Sequence, residues 1–279
     1  MNIFEKLQKI DARIIYLVVF AAIAVPMLRP IGLPVSVSAE TRQAFEYIEK
    51  LPPNSVVWLG GDYDMSSAPE LTPTGQAIAR QLFKSGHKVI LYSMWETGAM
   101  LNNAWLSAIA KEFNKEYGVD WVDLGWKPMA ATVLRNMTQG IVAAASDSDI
   151  MGRPLSTMPL IQAVPQLTRP YVELVVDLTT GRPGDADYLS TVSPDADKEK
   201  GVPMVVVCTG ISGPGKMPYI RSGQYKGLVV GMSGAAEYES LVGRLGDGTA
   251  GMDSQAAVHA LIIVVIILGN VGYVLSKKK

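Results

Sequence analysis

The run Ala256–Leu275 (AAVHALIIVVIILGNVGYVL) contains no Asp, Glu, Lys or Arg, and Lys277-Lys278-Lys279 closes it. Its length matches the roughly 20 residues that cross a hydrocarbon core about 30 Å thick. A second apolar run, Ile14–Leu28, follows Lys6, Lys9 and Arg13. The pattern predicts a chain anchored in a membrane at both ends. Cationic residues flank both runs on the side away from the middle of the chain, so the positive-inside rule puts both termini in the cytoplasm and the middle outside it. The first run is short for a span and also fits a signal-peptide core, with Val37-Ser38-Ala39 as a cleavage site. Arg29, Pro30 and Pro34 separate that site from the apolar core, which favours an uncleaved anchor.

The expected organisation is therefore residues 1–37 as cytoplasmic N-terminus and anchor, 38–250 as one extracytoplasmic domain, and 251–279 as C-terminal span and cytoplasmic tail. With 48% apolar and 18% charged residues the chain is not wholly disordered. A net charge of −1 gives no pull toward nucleic acid. Cys208 is the one cysteine, so no internal disulfide forms, and its apolar surroundings (Val202–Cys208) mark it as a core residue.

Between the anchors, apolar runs of strand length alternate with amphipathic segments. Ser38 caps a helix to Leu51, with Phe45 and Ile48 on its apolar side. Strands are expected at 56–59, 88–94, 119–124, 171–178, 203–208 and 227–232, and helices at 74–85, 97–117, 129–145 and 235–245, with a short one at 160–164. Alternation of this kind means βαβ units and a mainly parallel sheet with helices on both faces, a Rossmann-like α/β fold in the architectural sense, flanked by a transmembrane helix at each end. Residues 179–201, rich in Gly, Asp and Pro and including the charged tract Asp195–Lys200, are expected to project into solvent. Gly246–Ser254 (GDGTAGMDS) reads as a flexible joint before the second span.

In such a sheet ligands sit beyond the carboxyl ends of the strands. The candidate ligand-binding residues are therefore Asp62 and Asp64 after the first strand, Glu96 after the second, Trp126 after the third, and Gly210, Gly213, Gly215 and Lys216 in the loop TGISGPGK after the fifth. A carboxylate pair spaced by two could meet a divalent metal, but Asp in such positions ordinarily bonds its own turn, so no metal ligand is assigned. The glycine loop has Gly210 and Gly215-Lys216 at the Walker interval, yet Met217 replaces the hydroxyl, and Pro214 and Pro218 argue against a helix opening there. His87 falls at the amino end of a strand and His259 within the second span, so no Ser–His–Asp arrangement is expected. No cofactor is implied, and catalytic residues are not identifiable.

The leading expectation is a non-enzymatic subunit or accessory protein of a membrane assembly. Its partner would be another membrane protein, or a second copy of the chain, met through the spans, where Ala21, Ala22, Ala24, Gly269 and Gly272 permit close helix contact. The rivals are an extracytoplasmic ligand-binding or sensory domain and a metal-dependent hydrolase centred on Asp62 and Asp64. Whether the chain is an enzyme stays open at this stage.

Overall fold

The computed structural model describes residues 11–193 and 201–277. Six strands, β1 (Val56–Asp62), β2 (Lys88–Tyr92), β3 (Trp121–Asp123), β4 (Leu174–Thr179), β5 (Met204–Cys208) and β6 (Tyr225–Val230), form one sheet. Every pairing is parallel, and the order is β3-β2-β1-β4-β5-β6. Helical crossovers join the strands, which is why the sheet is parallel. Helices cover both faces, so the strands are continuous apolar runs. One core joins Val57, Leu59, Leu91, Val176 and Val207 to Ile48 of α2 (Ala39–Glu49), Ile78 and Leu82 of α3 (Ala68–Lys84), Leu106 of α4 (Glu96–Glu112) and Tyr238 of α10 (Gly231–Val242). The other joins Trp58, Ile90, Val122, Val175 and Val206 to Leu134 of α5 (Ala130–Met137), Ile141 of α6 (Ile141–Ala144), Leu160 of α7 (Pro159–Ala163) and Tyr188 of α8 (Asp185–Thr191). Met217 and Ile220 of α9 (Gly213–Arg221) pack on this second core.

Several expected segments differ. β1 runs on through Gly60 and Gly61 to Asp62 rather than ending at Leu59. The helix expected over 129–145 breaks after Met137, because the Ile141 amide donates to the Pro165 carbonyl (2.9 Å) instead of continuing the helical ladder. Residues 179–193 do not project into solvent: α8 lies on the sheet with Asp185 and Tyr188 buried. The tract Asp195–Lys200 lies outside the described residues. A helix does open on the glycine loop, since Pro214 occupies the first turn, where its missing N–H has no helical partner to lose.

The largest correction concerns Gly246–Ser254. It is no flexible joint: α11 (Asp247–Lys277) begins inside it. Glu239 of α10 supplies the reason. Its buried carboxylate accepts the amides of Gly246 (2.9 Å), Gly248 (2.9 Å) and Thr249 (2.8 Å) and the Thr249 hydroxyl (2.6 Å). Those are the orphan donors of a helix N-terminus, and an anion there also meets the positive end of the helix dipole. Gly248 allows the close approach, since a Cβ on it would lie 2.7 Å from the Ala235 Cβ.

α10 starts at the carboxyl edge of the sheet, directly after β6, and runs to the amino edge. α11 packs back along it, Gly248 beside Ala235 and Gly251 beside Met232, and so leaves the domain past the carboxyl edge. There α1 (Ala12–Leu28) lies antiparallel to it, the Ser254 hydroxyl donating to the Ile23 carbonyl (3.1 Å). Asp253 accepts the amides of Ile31 (2.7 Å), Gly32 (2.8 Å) and Leu33 (3.0 Å), which fixes the chain as it leaves α1. Among the described residues one helix, over Asp247–Val274, is long and apolar enough to cross a membrane. The expectation of one at each end is not met at the N-terminal side by length: α1 has 17 residues, about 26 Å at 1.5 Å per residue.

Glu239→Ala leaves two buried amides and a half-buried one without their acceptor. It should lower unfolding stability by on the order of 3 kcal/mol and speed hydrogen exchange at residues 247–252, while exchange in β1 and β4 keeps its order of protection. Unchanged exchange at 247–252 would show that the cap does not hold the joint.

Candidate functional site at the sheet switch point

The strand order reverses between β1 and β4, so the crevice used by doubly wound folds lies at their carboxyl ends. Gly60 pairs with Asp177 and Asp62 with Thr179, so these side chains emerge on one face of the sheet. Gly60 makes the room: a Cβ there would lie 2.6 Å from Asp177 Oδ1 and 3.0 Å from the Tyr188 ring. Gly61 serves the opposite face, where its carbonyl accepts from Asn102 Nδ2 (3.1 Å) and Ser93 Oγ (2.5 Å).

Asp62 and Asp177 are both fully buried, and Asp185 nearly so. Asp62 Oδ1 accepts the Met94 amide (2.6 Å). Asp185 pairs with Lys216 through Oδ2, which also accepts the Tyr225 hydroxyl (2.5 Å). Tyr188 above them accepts from Trp58 Nε1 (3.1 Å). Asp62 Oδ2, both oxygens of Asp177 and Asp185 Oδ1 find no amide, hydroxyl or ammonium donor. Trp95 closes the outside of the crevice by donating its indole N–H to the Pro183 carbonyl (2.7 Å).

Burial pushes the Asp62 carboxyl up to about 8, against the pull of the Met94 amide. Burial, and after it the neighbouring Asp62 and Asp185 charges, raises Asp177 well above the carboxylate range, with Lys216 opposing. Adjacent buried carboxyls cannot both ionise without large cost, so at neutral pH the pair holds protons. The arrangement can therefore take up or release a proton, which Asp62 and Asp177 share in a carboxyl–carboxyl hydrogen bond, or accept a ligand that brings donors or positive charge to these oxygens. Among the described residues no group of three His, Cys, Asp or Glu side chains is placed to hold a metal.

Of the residues singled out from the sequence, Asp62 and Lys216 belong to this cluster, Lys216 through Asp185. Asp64 does not join it: its carboxylate bonds the Ser66 amide (3.1 Å) and hydroxyl (2.6 Å), which hold it below the usual range. Glu96 is an exposed residue opening α4, and Trp126 is half-buried in the loop after β3. The Gly210 amide donates to Glu70 (2.7 Å), Gly213 opens α9 against Val230, and Gly215 borders open space. These glycines shape a turn and do not meet at the acid pair.

Sequence reasoning missed Asp177, Asp185, Tyr188 and Tyr225. One signal was present: Asp177 is the lone charge inside the apolar strand LVVDLT, whose faces are both covered. Asp185 gave none, because its segment read as loop. No protein-family model matches the chain, and no curated protein matches it.

The folded-state value of Asp62 lies above its ordinary 3.8. The unfolded chain thus ionises first, and stability falls as pH rises from about 4 to about 8, levelling above that. Asp62→Asn keeps an acceptor for the Met94 amide and removes the charge. It should flatten this slope and raise the melting temperature at the alkaline end, a gain on the order of a few kcal/mol. Thermal melts across that window check it; an unchanged slope would mean that Asp62 is not the group that titrates.

Proposed function

We propose that this chain is a non-enzymatic, membrane-anchored subunit or accessory protein of a membrane assembly, with its α/β domain outside the cytoplasm. The observation that carries the reading is the weld between domain and helix. α11 starts inside the α/β domain under the Glu239 cap and continues as an apolar helix whose side chains from Ile262 to Val274 are largely exposed. A rigid connection of this kind suits a part that must be held at a fixed height and angle. The exposed apolar residues of α1, including Leu17 and Phe20, extend the same surface. In this reading α1, which at about 26 Å is shorter than the hydrocarbon core, crosses beside α11 with local thinning of the bilayer. Both termini are cytoplasmic, since Lys6, Lys9 and Arg13 stand before the apolar run Ile14–Leu28 and Lys277–Lys279 follow the run Ala256–Leu275. Pairing of two antiparallel helices supports a two-pass anchor and leaves their outer faces for partner helices.

A second reading, an extracytoplasmic ligand-binding or sensory domain, is favoured by the buried Asp62–Asp177 pair at the switch point, whose oxygens find no amide, hydroxyl or ammonium donor beyond the Met94 amide. The hydrolase reading loses its basis, because Asp64 is spent on its own turn and does not face Asp62's cluster.

Extraction in mild detergent followed by native mass measurement should give a complex heavier than one chain; a lone monomer contradicts the subunit reading. For topology, a membrane-impermeant maleimide applied to intact cells should label Lys111→Cys, exposed on α4, and spare Asn2→Cys. The reverse pattern overturns the orientation.

A further inference from the structure

Large apolar side chains exposed between Ser38 and Ser254 are distributed unevenly. Of the seven among the described residues, five lie at the carboxyl edge of the sheet: Met65 68%, Met100 78%, Met129 75%, Met151 71% and Ile211 93%. The other two, Tyr171 38% and Leu245 50%, lie at the amino edge and are less exposed. Met65 follows β1, Met100 sits in the early turns of α4 after β2, and Ile211 follows β5. Met129 and Met151 flank the end of β3, where the Ile150 amide donates to the Asp123 carbonyl (3.0 Å) and the Met151 and Arg153 amides both bond Asp149 Oδ1 (2.8 and 2.7 Å). These side chains are held outward by structured loops, and solvent exposure of this much methionine along one edge marks a contact surface.

The same edge is the one α11 passes on leaving the domain. Counting about 20 residues back from Lys277 puts the outer boundary of the hydrocarbon core near Ala257. That is three residues, about 5 Å, beyond Ser254, the last buried residue of the joint. The headgroup layer is itself roughly 5–8 Å thick on each side. The loops at the carboxyl edge therefore come level with the headgroups of the bilayer that α11 enters, and no flexible joint lets the domain lift away.

We propose that the carboxyl edge of the sheet is a membrane-facing surface, seated in the outer headgroup layer of that bilayer through Met65, Met100, Met129, Met151 and Ile211. The switch-point crevice then opens toward lipid rather than toward bulk water. The occupant is the phospholipid surface itself, because α11 leaves the domain past this edge and becomes the span-length apolar helix within a few residues of it. This rests on the reading of α11 as a membrane span, and the experiment separates the two.

Full-length protein carrying one added cysteine is labelled with an environment-sensitive fluorophore and placed in phosphatidylcholine nanodiscs. Cys208 is fully buried and stays unlabelled, which the parent chain verifies. Labels at Met65→Cys, Met151→Cys and Ile211→Cys should lose about half or more of their emission to a headgroup nitroxide lipid, since interfacial residues reach about 5–10 Å into the boundary. A label at Asn54→Cys, on the amino edge before β1, should lose none. A label at Ile266→Cys should be quenched by a mid-chain nitroxide lipid. If Ile266→Cys is quenched and the three edge positions behave like Asn54→Cys, the membrane-facing surface is refuted and the span stands. If Ile266→Cys is not quenched, the span is refuted and the proposal falls with it.

Discussion

Three acidic side chains on α10 and α11 place everything at the two ends of this chain by satisfying backbone N–H groups that would otherwise be orphaned. Glu239 caps α11. Asp253 gathers three successive amides of Ile31–Leu33. Glu237 accepts the Ser38 amide (3.0 Å) and hydroxyl (2.6 Å), where α2 begins. Buried amides must be paired, and charge-assisted bonds are the strong way to pair them. Remove these acids and the sheet still has its cores, but the direction in which α1 and α11 leave rests on helix packing alone.

The sheet and its cores follow from local chemistry, and so they were legible. Val202–Cys208 and Lys88–Met94 are apolar runs of strand length, and each is a buried parallel strand within a residue or two of its expected bounds. The joint was not legible for a physical reason. Read locally, GDGTAGMDS is rich in glycine and looks flexible, but its helical state is stabilised by Glu239, seven to ten residues earlier, and its glycines are needed for contact with α10. The glycine loop failed the same way from the other side: Pro214 stands in the first turn and removes no needed amide, while Pro218 stands inside α9 and the short helix forms despite it.

The candidate site was half visible. Asp62 stands at a strand end, where ligand chemistry is expected, and Lys216 sits in a conspicuous loop. Their relation is not visible, because it runs through Asp185 on a helix hidden in a loop-like stretch and through Asp177 on a neighbouring strand. Spacing by two would keep Asp64 on Asp62's face if the strand continued, yet β1 ends at Asp62 and the local Ser66 turn sends Asp64 elsewhere. The true neighbour of Asp62 is more than a hundred residues away in sequence, and long-range pairing of this kind is what a single sequence does not display.

Glu239 and Asp253 join the α/β domain and the apolar helix α11 into one body. The distance distribution between spin labels at Lys84→Cys, exposed at the end of α3, and Ile266→Cys, exposed on α11, in lipid nanodiscs reads this directly. One narrow distance is expected, and it should broaden when Glu239→Ala is added. A distribution already broad in the parent chain would mean that Gly246–Ser254 is a flexible tether and that the Glu239 cap does not fix α11.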